Sequence, residues 1–275
     1  MTHSNGPEEA DADPDVPAAF LFDDISLHPD KWALFLDIDG TLLDLADTPD
    51  SVTVPPGLPR QLHSVSLAFG GAVALVTGRA LAFADRLFAP FRFPIAGLHG
   101  AEWRDPQGVV WHIPVPPLFE ELRRAIAAEA GAWPGIVVED KAAAVAVHYR
   151  LAPEKRALVE ELMARCVKAA GPGWSLQRGK LVVEIRPSDA SKGHAVRAFL
   201  EEEPFRGRRP VAIGDDVTDE TMFDVVNRLN GRSLRIGAAG RETAAQASLP
   251  SPAHLREMIA RLAAETSITD ERKLP

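Results

Sequence analysis

Cysteine is nearly absent: Cys166 stands alone in 275 residues. It has no partner for an internal disulfide or a thiolate metal site, which excludes a disulfide scaffold and suits a reducing cytoplasm. Positive charge is also short, with 30 Lys and Arg against 39 Asp and Glu, a formal charge of -9. An acidic chain fits a nucleic-acid backbone or an anionic membrane surface poorly, so neither is expected as a partner. No uninterrupted apolar run approaches the roughly 18 residues of a membrane-spanning helix. The longest candidates, such as Ala72 to Val76, have strand length. The opening MTHSNGPEEADADPDVP lacks the basic start and apolar stretch of a signal peptide, so no export is expected.

What is present is enough apolar content, 46% of residues, to bury a full core. Residues 1–17, rich in Asp, Glu and Pro, read as a disordered acidic tail. From Trp32 onward short apolar runs end in polar turns and alternate with helical stretches: WALFLDIDGT, AVALVTGR, FPIAGLHG, then PVAIGDD and SLRIGAA. This pattern predicts an α/β fold, a Rossmann-like parallel sheet covered on both faces. Residues 114–186 differ, reading helix, strand, strand, twice over. The tight connections at Asp140-Lys141 and Gly179-Lys180 predict antiparallel hairpins and a separate small α+β domain. Prolines at 114, 116, 117 and 187 mark its borders and leave 18–113 and 187–275 as the core.

Ligands of an open parallel sheet bind at the carboxyl ends of its strands, and four polar clusters fall there. Asp37-Ile38-Asp39-Gly40-Thr41 follows WALFL, and carboxylates two residues apart on an extended chain face one side. Thr77-Gly78-Arg79 follows AVALV, where a hydroxyl and helix-start N–H groups suit a phosphate, although Thr77 also reads as a plain helix cap. Lys192 opens a helix that Ser191 or Asp189 can cap, against the helix dipole unless something anionic lies near. A solvated surface lysine is the alternative. GDDVTDE, residues 214–220, holds four carboxylates. Thr218 can cap the next helix, but Asp215 and Asp216 are not explained that way, and hard oxygen ligands suit Mg²⁺. Together the clusters contain a carboxylate nucleophile, a carboxylic acid, a hydroxyl and an ammonium for phosphoryl oxygens, and metal carboxylates: a complete phosphoryl-transfer set.

In type and order these motifs resemble those of the haloacid dehalogenase-like hydrolases, from Trp32 onward, with the α+β insert placed as in members that carry the second type of cap. VTGR, GLHGAEWR, EDK followed by AVHYR, GKLVVEIRP and GDDVTDE are similar to segments of the trehalose-6-phosphate phosphatases. This resemblance implies that Glu139, Lys141 and Glu184 of the cap hold glucose hydroxyls and that His99 and Glu102 face the cap from a core loop. An ordinary solvated sheet face with ion pairs is the alternative for the three cap residues. Ile38 departs from relatives that carry an aromatic residue there. No role is assigned to His148, and Trp103 and Trp111 are expected in the core.

The expected chemistry is hydrolysis of trehalose 6-phosphate, with Asp37 as nucleophile and Asp39 as acid and then base. Thr77 and Lys192 orient the phosphoryl group, Gly78 and Arg79 complete its cradle, and Mg²⁺ is held by Asp37, the Asp39 carbonyl and Asp215. Asp216 and Asp219 support the metal or Lys192. A phosphatase or phosphomutase for another sugar, and a non-catalytic sugar-phosphate-binding partner of a synthase, are the rivals. A functional link with a trehalose-phosphate synthase is a further expectation.

Overall fold

Each short apolar run of the core becomes a strand buried on both faces. The computed structural model describes residues 24–46, 48, 51–237 and 242–271. The expected tail, residues 1–17, lies outside them. The core strands are β1 (Trp32–Leu36), β2 (Val73–Val76), β3 (Ile95–Gly97), β4 (Glu102–Arg104), β5 (Val110–His112), β10 (Arg209–Gly214), β11 (Arg232–Ile236) and β12 (Ala247–Leu249). They form one eight-stranded sheet in the order β12-β11-β10-β1-β2-β3-β4-β5. Pairing is parallel from β12 to β3 and antiparallel through the β4–β5 hairpin at the edge.

Strand alternation sends Leu34 and Leu36 to one face and Ala33 and Phe35 to the other. The first face packs on α1 (Leu58–Ala68), α2 (Leu81–Leu87) and α7 (Pro252–Glu271) through Leu62, Val65, Leu81, Leu255 and Ile259. The second packs on α5 (Lys192–Leu200) and α6 (Glu220–Arg228) through Val196, Phe199, Met222 and Phe223. Covering both faces is what allows continuous apolar strands. The chain runs outward from β1 through β2 and β3 on one side and through β10, β11 and β12 on the other, so β1 and β10 flank the point where strand order reverses. Loops leaving two such strands diverge and open a crevice.

A second, four-stranded antiparallel sheet is built from β6 (Val137–Asp140), β7 (Val145–His148), β8 (Trp174–Gly179) and β9 (Val182–Pro187), in the order β6-β7-β9-β8. Both expected hairpins form. Helices α3 (Pro117–Ala130) and α4 (Arg156–Ala170) cover one face with Phe119, Ile126, Val159 and Met163 against Val145, Val147, Val183 and Ile185. Period-2 alternation then commits the other face to Glu139, Ala146, Glu184 and Gln177. These four stand in one register row across the sheet. Among the described residues no helix is long and apolar enough to cross a membrane.

Three local expectations need correction. Thr218 does not cap α6: its carbonyl accepts from Thr221 Oγ1 and the helix has no side-chain cap. The second helix of the 114–186 unit, expected as one plain helix, opens with a 3₁₀ turn, Pro153–Lys155, before α4 begins. Trp103 is stacked on Phe199, but its cross-strand partner Trp111 is 59% exposed on the edge strand β5.

Candidate active site

The loops after β1 and β10 and the first turn of α5 bring Asp37, Asp219 and Lys192 together. Lys192 Nζ donates to Asp37 Oδ1 at 2.6 Å and to Asp219 Oδ1 at 2.7 Å, and only 3% of the lysine is exposed. Ser191 Oγ accepts from His194 N–H and caps α5, as expected. Burial alone would pull the Lys192 ammonium down, but the Asp219 and Asp37 carboxylates outweigh it and hold it above its ordinary value. A solvated surface lysine is thereby ruled out. The unfavourable cation at a helix start is offset by two anions in contact.

Asp219 holds the loop as well as the lysine. Its Oδ2 accepts the backbone N–H groups of Asp215 and Asp216 at 2.9 and 3.0 Å. Asp216 turns to its own loop, where its Oδ1 accepts from Val217 N–H. Thr41 Oγ1 lies 3.4 Å from both Asp37 Oδ2 and Asp215 Oδ1 and bridges the loops after β1 and β10.

One carboxylate oxygen from each of Asp37, Asp215 and Asp219 lies within 4.8 Å of the others. Three carboxylates face one ammonium. Burial pushes Asp37 up, with Asp219 and Asp215 adding to the rise and Lys192 opposing it. Burial and the same crowding push Asp215 up to about 7. A hard divalent cation relieves such crowding, and the donor set is all oxygen, so these residues fit Mg²⁺. Asp219 has both oxygens on short bonds, to Lys192 and to the loop N–H groups, whereas Asp37 Oδ2 and Asp215 Oδ1 are held only by the long 3.4 Å contacts of Thr41 and can turn to a metal. Gly40, at φ +77°, keeps that space open: a Cβ there would stand 2.2 Å from Asp215 Oδ2.

The turn after β2 behaves differently from its sequence reading. Thr77 Oγ1 accepts from Arg79 N–H at 3.1 Å, leaving its own O–H to donate. Arg79 grips Asp39, with Nε and Nη2 donating to the two carboxylate oxygens at 2.7 and 2.6 Å, and its guanidinium lies over the Phe83 ring. Asp37 and Asp39, read as a pair, therefore have separate partners. Glu102, expected to face the cap, has Oε2 on Leu81 N–H at 2.6 Å, where it satisfies the start of α2.

The second sheet reaches this turn. Lys141 Nζ donates to the Gly78 carbonyl and to Glu184 Oε2, both at 3.1 Å. Glu139 is 3.8 Å from the same ammonium and 2.9 Å from His148 Nε2. His99 Nε2 is 3.8 Å from Glu184 Oε2. Burial would raise Glu184, but the Lys141 charge and the His99 contact outweigh it and hold the carboxyl well below its usual range. Burial likewise opposes the ammonium of Lys141, and Glu184 and Glu139 hold it above its ordinary value. Burial pulls His99 down despite Glu184. His148, assigned no role above, thus sits in the cluster; its place on the open face of β7, two residues from Ala146, was the available signal.

A trehalose-phosphatase family model matches residues 35–253. The chain belongs to that family. It is accordingly a phosphatase, a phosphoric monoester hydrolase. A probable trehalose-phosphate phosphatase of Sinorhizobium fredii is 57% identical over 239 residues, covering 87% of this chain and 90% of the relative. The trehalose-6-phosphate phosphatase of Escherichia coli is 42% identical over 213 residues, 77% of this chain and 80% of that protein. The fold of the Candida albicans trehalose-6-phosphate phosphatase C-terminal domain superposes with a TM-score of 0.76 at 22% identity, over 91% of this chain and 98% of that one. A Bacteroides thetaiotaomicron phosphatase of the haloalkanoate (HAD) superfamily shares the fold at a TM-score of 0.59 and 16% identity, over 84% and 94%.

Proposed function

We propose that this phosphatase hydrolyses trehalose 6-phosphate to trehalose and phosphate, through a phosphoryl group carried on Asp37. The observation that carries the reading is the contact of Lys141 with both the Gly78 carbonyl and Glu184, because it joins a row of sugar-reading groups to the turn beside the reacting carboxylates. From Glu139 to Glu184 the row crosses two strand spacings of about 4.8 Å, roughly 10 Å in all, so its charged groups reach beyond a single hexose ring. Charged groups that make several hydrogen bonds each suit a ligand rich in hydroxyls. The names of the relatives above support the same substrate.

Asp37 attacks phosphorus with the oxygen that Lys192 does not hold. Lys192 and the Thr77 hydroxyl orient the phosphoryl oxygens, and Lys192 offsets part of their charge. Asp39, released from the Arg79 fork and protonated before attack, gives that proton to the departing sugar oxygen and afterwards takes one from the water that releases phosphate. Asp37, the Asp39 carbonyl and Asp215 would hold Mg²⁺, which supplies further neutralisation of phosphoryl charge. The segment 114–186 acts as a cap that excludes water during attack. The enzyme works in the cytoplasm and takes its substrate from a trehalose-phosphate synthase.

Phosphate release is to be measured across trehalose 6-phosphate, glucose 6-phosphate, other sugar phosphates and phenyl phosphate, with Mg²⁺ and with EDTA. Trehalose 6-phosphate is expected to lead, and EDTA to abolish turnover. A profile led by a monosaccharide phosphate would overturn the disaccharide assignment. Turnover in EDTA would overturn the metal.

A further inference from the structure

Four buried side-chain atoms among the described residues have no hydrogen-bond partner: His99 Nδ1, Arg123 Nε, Glu184 Oε1 and Arg186 Nε. Leaving a buried polar atom unpaired costs about 1 to 3 kcal/mol. Three of the four belong to one place. Glu184 and Arg186 are two apart on β9, so both project from the open face of the second sheet, and His99 meets Glu184 from the core.

Arg186 has an uncommon set of partners for a guanidinium that is largely withdrawn from water. Nη2 donates to Gln177 Oε1 at 3.2 Å and Nη1 to the Ala190 carbonyl. Both acceptors are neutral, and among the described residues no carboxylate forms an ion pair with it. The Gln177 brace and the Ala190 carbonyl fix the plane of the fork and leave the Nε–H aimed at nothing. A strand residue that merely tied the sheet to the core would not need that third donor buried.

We propose that Arg186 is a further specificity-determining residue, whose Nε–H is completed by a hydroxyl of the substrate's sugar that also donates to Glu184 Oε1. The chemistry selects a hydroxyl over an anion. A hydroxyl both donates and accepts, so one oxygen satisfies the N–H and the carboxylate together, whereas a phosphate oxygen beside Glu184 would be repelled. Side chains two apart on a strand stand on one face with Cα atoms about 6.6 Å apart, so the two orphan atoms belong to neighbouring side chains of that face. Gln177, at the β8 end of the register row, is then a positioning residue that acts through Arg186. This inference rests on the sugar-phosphate reading above and extends its reading face beyond Glu139, Lys141 and Glu184.

The test compares kcat/KM for trehalose 6-phosphate with that for phenyl phosphate in wild type, Arg186→Gln, Arg186→Lys and Gln177→Leu, with thermal melts alongside. In Arg186→Gln the ratio of the two values should fall about ten- to a hundredfold, the usual worth of a hydrogen bond from a charged group. Arg186→Lys, which keeps the charge but not the Nε–H, should fail to restore it. Gln177→Leu should lower the ratio by a smaller factor. Equal losses on both substrates, or full rescue by lysine, would overturn the proposal in favour of a structural strap. Should Arg186→Gln not fold, Gln177→Leu decides alone: an unchanged ratio overturns it, a lowered ratio supports it. A wild type without preference for trehalose 6-phosphate removes the substrate reading and this proposal with it. A wild type with that preference and an unaffected Arg186→Gln removes this proposal only.

Discussion

Lys192 and Asp37 touch at 2.6 Å, yet removing one should have the opposite effect on stability from removing the other. Asp37 is one of three carboxylates around a single ammonium. Asp37→Asn keeps the shape and thins that crowd, so the metal-free protein should be as stable as wild type or more so, while turnover falls by several orders of magnitude. Near-normal turnover by a folded Asp37→Asn protein would end the covalent mechanism. Lys192→Met leaves Asp37 and Asp219 buried without compensation and should cost about 3 to 5 kcal/mol in urea unfolding as well as activity. A loss below about 1 kcal/mol would mean that water or relaxation reaches these carboxylates. Mg²⁺ should raise the melting temperature of wild type, by about 2.7 kcal/mol of added stability at a hundredfold excess over its Kd, and Asp215→Asn should lose most of that rise. This readout does not depend on catalysis.

At the scale of elements, the site depends on how closely two helices approach. Gly193 follows Lys192 in the first turn of α5, its N–H donates to Thr221 Oγ1 at 3.0 Å, and a Cβ on it would stand 2.3 Å from the Thr221 carbonyl oxygen. Gly193→Ala must therefore push α5 off α6, at a cost of about 1 to 3 kcal/mol, and shift Lys192 with it. Intrinsic helix propensity alone predicts the reverse, a gain of up to about 1 kcal/mol. Urea unfolding of this variant separates the two: a stabilised protein would show that the helices have room to spare. The strands and helices that frame the site were legible from periodicity because their apolar faces are continuous in sequence. Glu102 was not: its oxygen satisfies the start of α2, 21 residues earlier, a pairing that only the β3–β4 antiparallel register creates. Thr218 misled for the converse reason. A hydroxyl at the right spacing is a potential cap, and its geometry at Asp219 sends that helix start elsewhere.

The whole molecule is joined at the crevice by the buried contact of Lys141 with Glu184 and Gly78, and this contact should be visible in the pH dependence of stability. Glu184 is held below its ordinary 4.5, so its contribution is present above that pH and is lost as pH falls below it toward the folded value. Lys141 is held above its ordinary 10.5, so its contribution is present below that pH and fades as pH rises beyond it. Glu184→Gln should therefore destabilise by about 3 kcal/mol or more through the neutral range, with the difference from wild type shrinking below about pH 4.5. A difference independent of pH would assign the loss to packing rather than charge.

The alternation of strand and helix, the helix-strand-strand unit twice over, and the presence of Asp37, Asp39, Thr77, Lys192 and Asp215 at strand ends and helix starts are all written in the order of residues. Each of these follows from local periodicity, turn chemistry and residue type, which the chain carries in short windows. Tertiary structure alone decided the partners. Lys192 lies 155 residues from Asp37, Arg79 lies 40 from the Asp39 it grips, and Lys141 lies 63 from the Gly78 carbonyl. A carboxylate in a sequence reads as metal ligand, acid or helix cap with equal right, because its role is set by which donor stands within 3 Å of it. Sheet order and the packing of two separate cores bring those donors in from distant segments, and no short window of sequence contains them.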